Sequence, residues 1–167
     1  EDALGAGMED GEPLEKGGTG ARAYGEAVGT LLSFPVSRSA DRGSTICSWD
    51  SSPKMEALRN TFGRQAIPMT WNFAEGNPFS DSSGNWNNNT EFCAKALGNT
   101  CTHYHGHARQ EDATKVAFSP ARIISTDPPY YDNIGYADLS DYFYVWLRRS
   151  LGLVFPGTLA TLAVPKA

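Results

Sequence analysis

Asp127, Pro128, Pro129 and Tyr130 bring a carboxylate, unpaired carbonyls and an aromatic ring together within four residues. A short apolar run, Ile123-Ile124, leads into them, and an aromatic-rich helical pattern follows. Two consecutive prolines neither continue a helix nor donate to a sheet ladder, so a strand arriving here must stop. Each ring fixes its own φ, and Pro128 biases Asp127 towards an extended conformation. The stiff turn so formed offers hydrogen-bond acceptors beside a flat apolar face. In an open α/β sheet, ligands bind at the carboxyl ends of strands.

The tetrapeptide resembles the D-P-P-Y signature of amino-methyltransferases. The longer run ISTDPPYYDNIGYADLSDYFYVWLRRSL at 124–151, with GRQAIPMTWNFAEGNPFSDSSGNW upstream, looks like the large adenine-specific DNA methylases that carry a zinc ribbon. The likeness extends from about Gly18 to the end of the chain and is specific over 124–151. It implies an α/β fold, part of a Rossmann-like methyltransferase sheet with flanking helices. It also implies S-adenosylmethionine as methyl donor in the full-length protein, and DNA as substrate.

The same resemblance assigns roles in the loop. Adenine N6 is a poor nucleophile because its lone pair is conjugated into the ring. Acceptors on both amino hydrogens, the Asp127 carboxylate and the Pro128 carbonyl, would draw the nitrogen towards tetrahedral geometry. The carboxylate would also stabilise the positive charge that develops as the methyl group arrives. Pro129 stiffens the loop, and Tyr130 would stack on a base flipped from the duplex. Such stacking is worth about 1–3 kcal/mol, comparable with the few kcal/mol that flipping costs. Tyr131 and Asn133 are expected as further substrate contacts. Cytosine N4 suits the same acceptors as adenine N6.

Asp112 lies upstream of the loop, after a segment at 105–110 that reads as a strand. Rossmann-like methyltransferases often place an acid or amide there, beside the cofactor's adenine, so the resemblance makes Asp112 a cofactor-binding residue. It also fits a helix cap or turn aspartate. The family's glycine-containing cofactor loop, D/N-P-F-x-G-x-G, does not occur, and neither do Cys-x-x-Cys pairs. In the family both are expected upstream of Glu1. The chain, opening at EDALGAG and stopping at VPKA, reads as a piece of a longer protein: the base-binding half of a site, inactive alone.

Two other classes of function stay open. In a non-catalytic nucleic-acid- or protein-binding module, the loop would only insert a ring into a partner. In a metal-dependent hydrolase, His103, His105 and His107 would supply ligands. On a strand these alternate histidines share a face with Cys101, but they splay in parallel directions rather than converging on one ion, so no metal is expected.

At 167 residues, 40% hydrophobic and 20% charged, the chain reads as globular. Its net charge of −5 excludes a generalised basic surface, so phosphate-binding groups must be local or lie elsewhere in a longer protein. No apolar run approaches membrane-spanning length and no secretory leader is legible, so no membrane partner is expected. Cys47, Cys93 and Cys101 form neither a disulfide framework nor a zinc ribbon, which points to a reducing cytoplasm.

The elements that must position the loop follow from periodicity. Residues 1–18 are rich in glycine and acid and read as a flexible linker or arm, and 19–167 as the partial methyltransferase domain. GGTGA at 17–21 misses the dinucleotide fingerprint and reads as a turn leading into a helix capped by Thr19. Tyr24, Ala27, Val28, Leu31 and Leu32 mark the apolar face of that helix, to about residue 41, with a kink at Pro35. A second helix is predicted at 53–62, between Pro53 and Gly63, with Met55, Leu58 and Phe62 inward. Weak alternation predicts a strand at 66–73, and 76–89 a long loop, either partner-facing or a mobile surface segment. A short helix is predicted at 90–97 with Phe92, Cys93, Ala96 and Leu97 inward, and a central strand at 121–126. The final helix, 138–151, should bury Leu139, Tyr142, Phe143, Trp146 and Leu147, with Tyr144 and Val145 widening the arc and Arg148 and Arg149 closing it. Without a first strand and helix, apolar sheet surface would stay uncovered, so self-association is expected.

Overall fold

The computed structural model describes residues 1–71, 74–100, 106, 111–112, 114–117, 123–128 and 134–164. These form a helix-rich mixed chain: α1 (Asp2–Gly5), a 3-10 turn (Leu14–Lys16), α2 (Ala21–Arg42), β1 (Trp49–Asp50), β2 (Ala57–Leu58), α3 (Trp86–Gly98) and α4 (Tyr136–Leu151). Helices α3 and α4 both pack on α2. The sheet among the described residues is a two-stranded antiparallel ribbon, with Trp49 opposite Leu58 and Asp50 opposite Ala57. No helix among the described residues is long and apolar enough to cross a membrane.

Helix α2 forms where its period predicts, with Pro35 inside it and buried. Its N-cap is Gly20, not Thr19, and no side chain caps it. The first amides of a helix need acceptors, and the arm provides them. The amides of Ala21 and Arg22 donate to the carbonyls of Glu9 and Asp10 at 2.8 and 3.0 Å. Glu26 holds the arm from the other side, accepting the Leu14 amide at 2.6 Å and Arg22 Nε at 3.0 Å. The Leu14 amide first, and then the Arg22 guanidinium, lower the Glu26 carboxyl below its ordinary value.

The far end of α2 is tied to the 60–62 segment through Asp41. Its side chain accepts Asn60 Nδ2 at 2.6 Å and the Phe62 amide at 3.3 Å, while its carbonyl accepts the Thr61 amide at 2.6 Å. Beneath this junction the Cys47 thiol and the Thr61 hydroxyl lie 3.4 Å apart, both fully buried. Phe62 packs into a ring cluster with Tyr142 and Phe143 of α4, centroids 5.1 and 5.3 Å away. The Tyr142 hydroxyl donates to the Ala40 carbonyl at 2.8 Å, locking α4 across the end of α2. After α4 the chain turns back, and Tyr144 is buried with its hydroxyl 2.9 Å from Thr161 Oγ1. Thus Tyr144 is covered as the widened apolar arc requires, while Trp146, expected inward, remains exposed.

Several predicted elements are replaced. Residues 53–62 are not a helix. Asp50 Oδ1 accepts the Ser52 amide at 3.0 Å, a short turn follows, and Glu56 at φ +37° sends the chain back as β2. Side chain-to-backbone bonds of this kind compete with helix formation. Of the strand expected at 66–73, residues 66–71 carry none, and 72 and 73 lie outside the described residues. Helix α3 begins at Trp86 rather than 90, because Asn85 caps it: its side chain accepts the Asn88 amide at 2.7 Å. The inward residue of α3 is Asn89, while Phe92 and Leu97 are exposed. Residues 123–126 lie in irregular backbone instead of the central strand, with Ile123 wholly exposed. Among the described residues no neighbouring strand is present to offer Ile123 and Ile124 a ladder. Residues 121 and 122 lie outside the described residues, as does nearly all of 105–110.

Candidate functional site

Asp127 and Pro128 sit on an exposed irregular segment, a few residues before α4. Pro129, Tyr130, Tyr131 and Asn133 lie outside the described residues, and so do His103, His105 and His107. Among the described residues no group of His, Cys, Asp or Glu is arranged to hold a metal ion. Gly135 leads into α4, and the Tyr142 ring against Phe62 and its hydroxyl on Ala40 hold that helix across the end of α2.

Asp112 occupies a tight turn. Its Oδ1 accepts the Thr114 amide at 2.9 Å and the Thr114 hydroxyl at 2.8 Å, and Oδ2 lies 3.2 Å from Lys115 Nζ. The Lys115 amide closes the turn on the Asp112 carbonyl at 2.9 Å. The Thr114 hydroxyl and amide, then Lys115, hold the Asp112 carboxyl below its ordinary value. This is the geometry of a turn aspartate with both oxygens engaged locally. It leaves no oxygen without a partner for a cofactor's amino group, and no glycine-rich cradle accompanies it in the sequence. Among the described residues Asp112 is thus held within its own turn, and no glycine-rich loop stands beside it in the sequence.

Sequence reading missed two features. Asn89 is a buried polar hub: its Oδ1 accepts Arg38 Nε at 3.1 Å, and its Nδ2 donates to Ser39 Oγ at 2.9 Å and to the Gly84 carbonyl at 3.0 Å. It joins α3, α2 and the loop before α3, with the Arg38 guanidinium 4.7 Å above the Phe92 ring. Nothing in an Asn-Asn-Asn run singles out its third residue. The second feature is an open groove of about 1510 Å3 between the β-ribbon and the 59–71 segment, bordered by Trp49, Arg59, Phe62, Arg64, Met69 and Trp71. Its sequence signal is indoles and arginines interleaved in a polar stretch, which the weak strand alternation at 66–73 obscures.

No protein-family model, curated protein or solved structure matches this chain. The resemblance of the 124–151 run stands on its own residues.

Proposed function

We propose that this chain is the base-binding portion of an S-adenosylmethionine-dependent DNA methyltransferase, acting on an exocyclic base amine, adenine N6 first. The observation that carries the reading is the Asp127-Pro128-Pro129-Tyr130 run joined to an aromatic helix, with the Asp127 side chain open to solvent. In this reading the Asp127 carboxylate and the Pro128 carbonyl take the two amino hydrogens of the flipped base, and Tyr130 covers its face. Tyr131 and Asn133 line the approach. The glycine loop that cradles the methyl donor belongs elsewhere in the whole protein, since the sequence here has none, and Asp112 is the candidate contact on this side.

The exposed Ile123 and Ile124 suit a strand waiting for neighbours. We propose that 121–126 enters a Rossmann-like sheet when the remaining strands are present. Free thiols at Cys47 and Cys93 support a cytoplasmic setting.

The test is sequencing of modified bases in cells carrying the whole gene, lacking it, or carrying it with Asp127→Ala. The expected outcome is one methylated amine that disappears in the last two. An unchanged pattern of base methylation on deleting the gene, or full methylation with Asp127→Ala, overturns the reading.

A further inference from the structure

The groove between the β-ribbon and the 59–71 segment has no role in the proposed methyl transfer. Its volume of about 1510 Å3 exceeds the ~300–1,000 Å3 typical of small-molecule sites, and it is partly open to solvent. Two indoles border it, and Trp71 is 89% exposed and Trp49 53% exposed. Large aromatic faces left in water at a concave surface mark a place where a partner stacks.

Charge narrows the partner. The chain has 19 acidic residues against 14 basic ones, yet among the described residues no Asp or Glu lines this groove, and Arg59 and Arg64 do. Asp50 braces Arg59 from the ribbon, with its Oδ2 2.9 Å from one guanidinium nitrogen and 3.0 Å from Nε. The Arg59 side chain is still 49% exposed, so its fork is oriented and able to take another oxygen ligand. Arg64 is exposed beside the groove.

We propose that this groove holds single-stranded nucleic acid, with bases stacked on Trp49 and Trp71 and backbone phosphates against Arg59 and Arg64. Stacking platforms interleaved with cations along an open channel are how sequence-tolerant strand binding works. A neutral protein segment could also stack on the indoles, but it would bring no anion to the exposed Arg64 beside them. The inference deepens the methyltransferase reading by giving it a surface that holds the strand. It rests on that reading for its purpose but not for its test, because strand binding is measured without methyl transfer.

The test is fluorescence anisotropy of a labelled single strand of about 16 nucleotides, titrated with this 167-residue chain at several salt concentrations. The same sequence as a blunt duplex serves as comparator. The single strand should bind more tightly than the duplex and weaken as salt rises. Trp71→Ala should weaken binding by about 5- to 150-fold, the loss of one stacked base. Arg64→Ala should reduce the slope of log affinity against log salt by about 0.7, one phosphate contact. Both side chains are exposed, so helix content by circular dichroism should be unchanged in each variant. The proposal is overturned if the single strand does not bind, if the duplex binds equally well, or if Trp71→Ala and Arg64→Ala bind as the parent chain does. Displacement of the strand by a neutral proline-rich peptide that itself binds independently of salt would also overturn it, in favour of a protein partner. Base methylation in cells with no strand binding here would sink this inference alone. Strand binding here without base methylation would sink the methyltransferase reading alone.

Discussion

The Asp112 carboxylate accepts from Thr114 twice and faces Lys115, and every one of these groups stabilises the charged form. A carboxyl whose folded pKa is depressed contributes stability that is complete above its unfolded value and lost as pH falls through the folded one. The 112–115 turn is therefore whole at neutral pH and loosens only in acid, below the ordinary aspartate range. Thr114→Val removes the hydroxyl, the largest cause of the depression, and should move the Asp112 titration upward in carboxyl-detected NMR. An unmoved titration would show that Thr114 does not set it. Asp127 contrasts with this. Its side chain is exposed on irregular backbone, so Asp127→Ala should change stability by no more than about 0.5 kcal/mol, read as a urea midpoint. A large loss of stability would mean that Asp127 has a structural duty instead of a chemical one.

Among the helices, α3 depends most on single polar side chains. Asn85 both caps it and donates to the Ser80 carbonyl at 2.7 Å, so Asn85→Ala should cost about 0.5–2 kcal/mol in chemical unfolding. Asn89→Ala should cost about 1–3 kcal/mol, because it removes three hydrogen bonds made by a buried amide, to the exposed Arg38 and the half-buried Ser39 and Gly84. If Asn89→Ala unfolds at the parent's urea concentration, water replaces the amide and the hub is not a clamp. The helices were legible to different degrees for physical reasons. α2 and α4 are long, and their spacing repeats over several turns, so period alone locates them to within two residues. The 53–62 segment carries helix punctuation at Pro53 and Gly63, but the Asp50–Ser52 turn and the Arg59–Asp50 pair close a hairpin that no local pattern announces. Apolar period also overstated α3, where Asn89 and not Phe92 faces inward. The D-P-P-Y run was legible as a motif, whereas the groove was not. It arises from pairing Trp49 with residues far along the chain.

Across the whole molecule, the apolar face that identified α2 in the sequence is only partly covered. Tyr24 is 58% exposed, and Val28, Leu31 and Leu32 are exposed beside it. The residues that α2 does bury are small, Ala21, Ala23, Ser33 and Pro35. Such a stripe recruits a partner, and we expect the chain to self-associate through it. Light scattering should give a mass above 18.1 kDa, and Leu31→Glu should return it to that of one chain. A monomer before substitution would refute this. Calorimetry with S-adenosylmethionine should show no binding stronger than millimolar, and micromolar affinity would mean that the cofactor's residues are here after all.

The arm before α2 also has a consequence for how this sequence can vary. A Cβ at Gly18 would collide with the Glu12 carbonyl, and one at Gly20 would stand 2.5 Å from the carbonyls of Glu9 and Asp10. Those last two carbonyls are the ones that receive the first amides of α2. In a saturation-mutagenesis library selected for folded chain, Gly18, in the stretch that composition marks as most expendable, and Gly20 just beyond it should therefore each admit glycine alone.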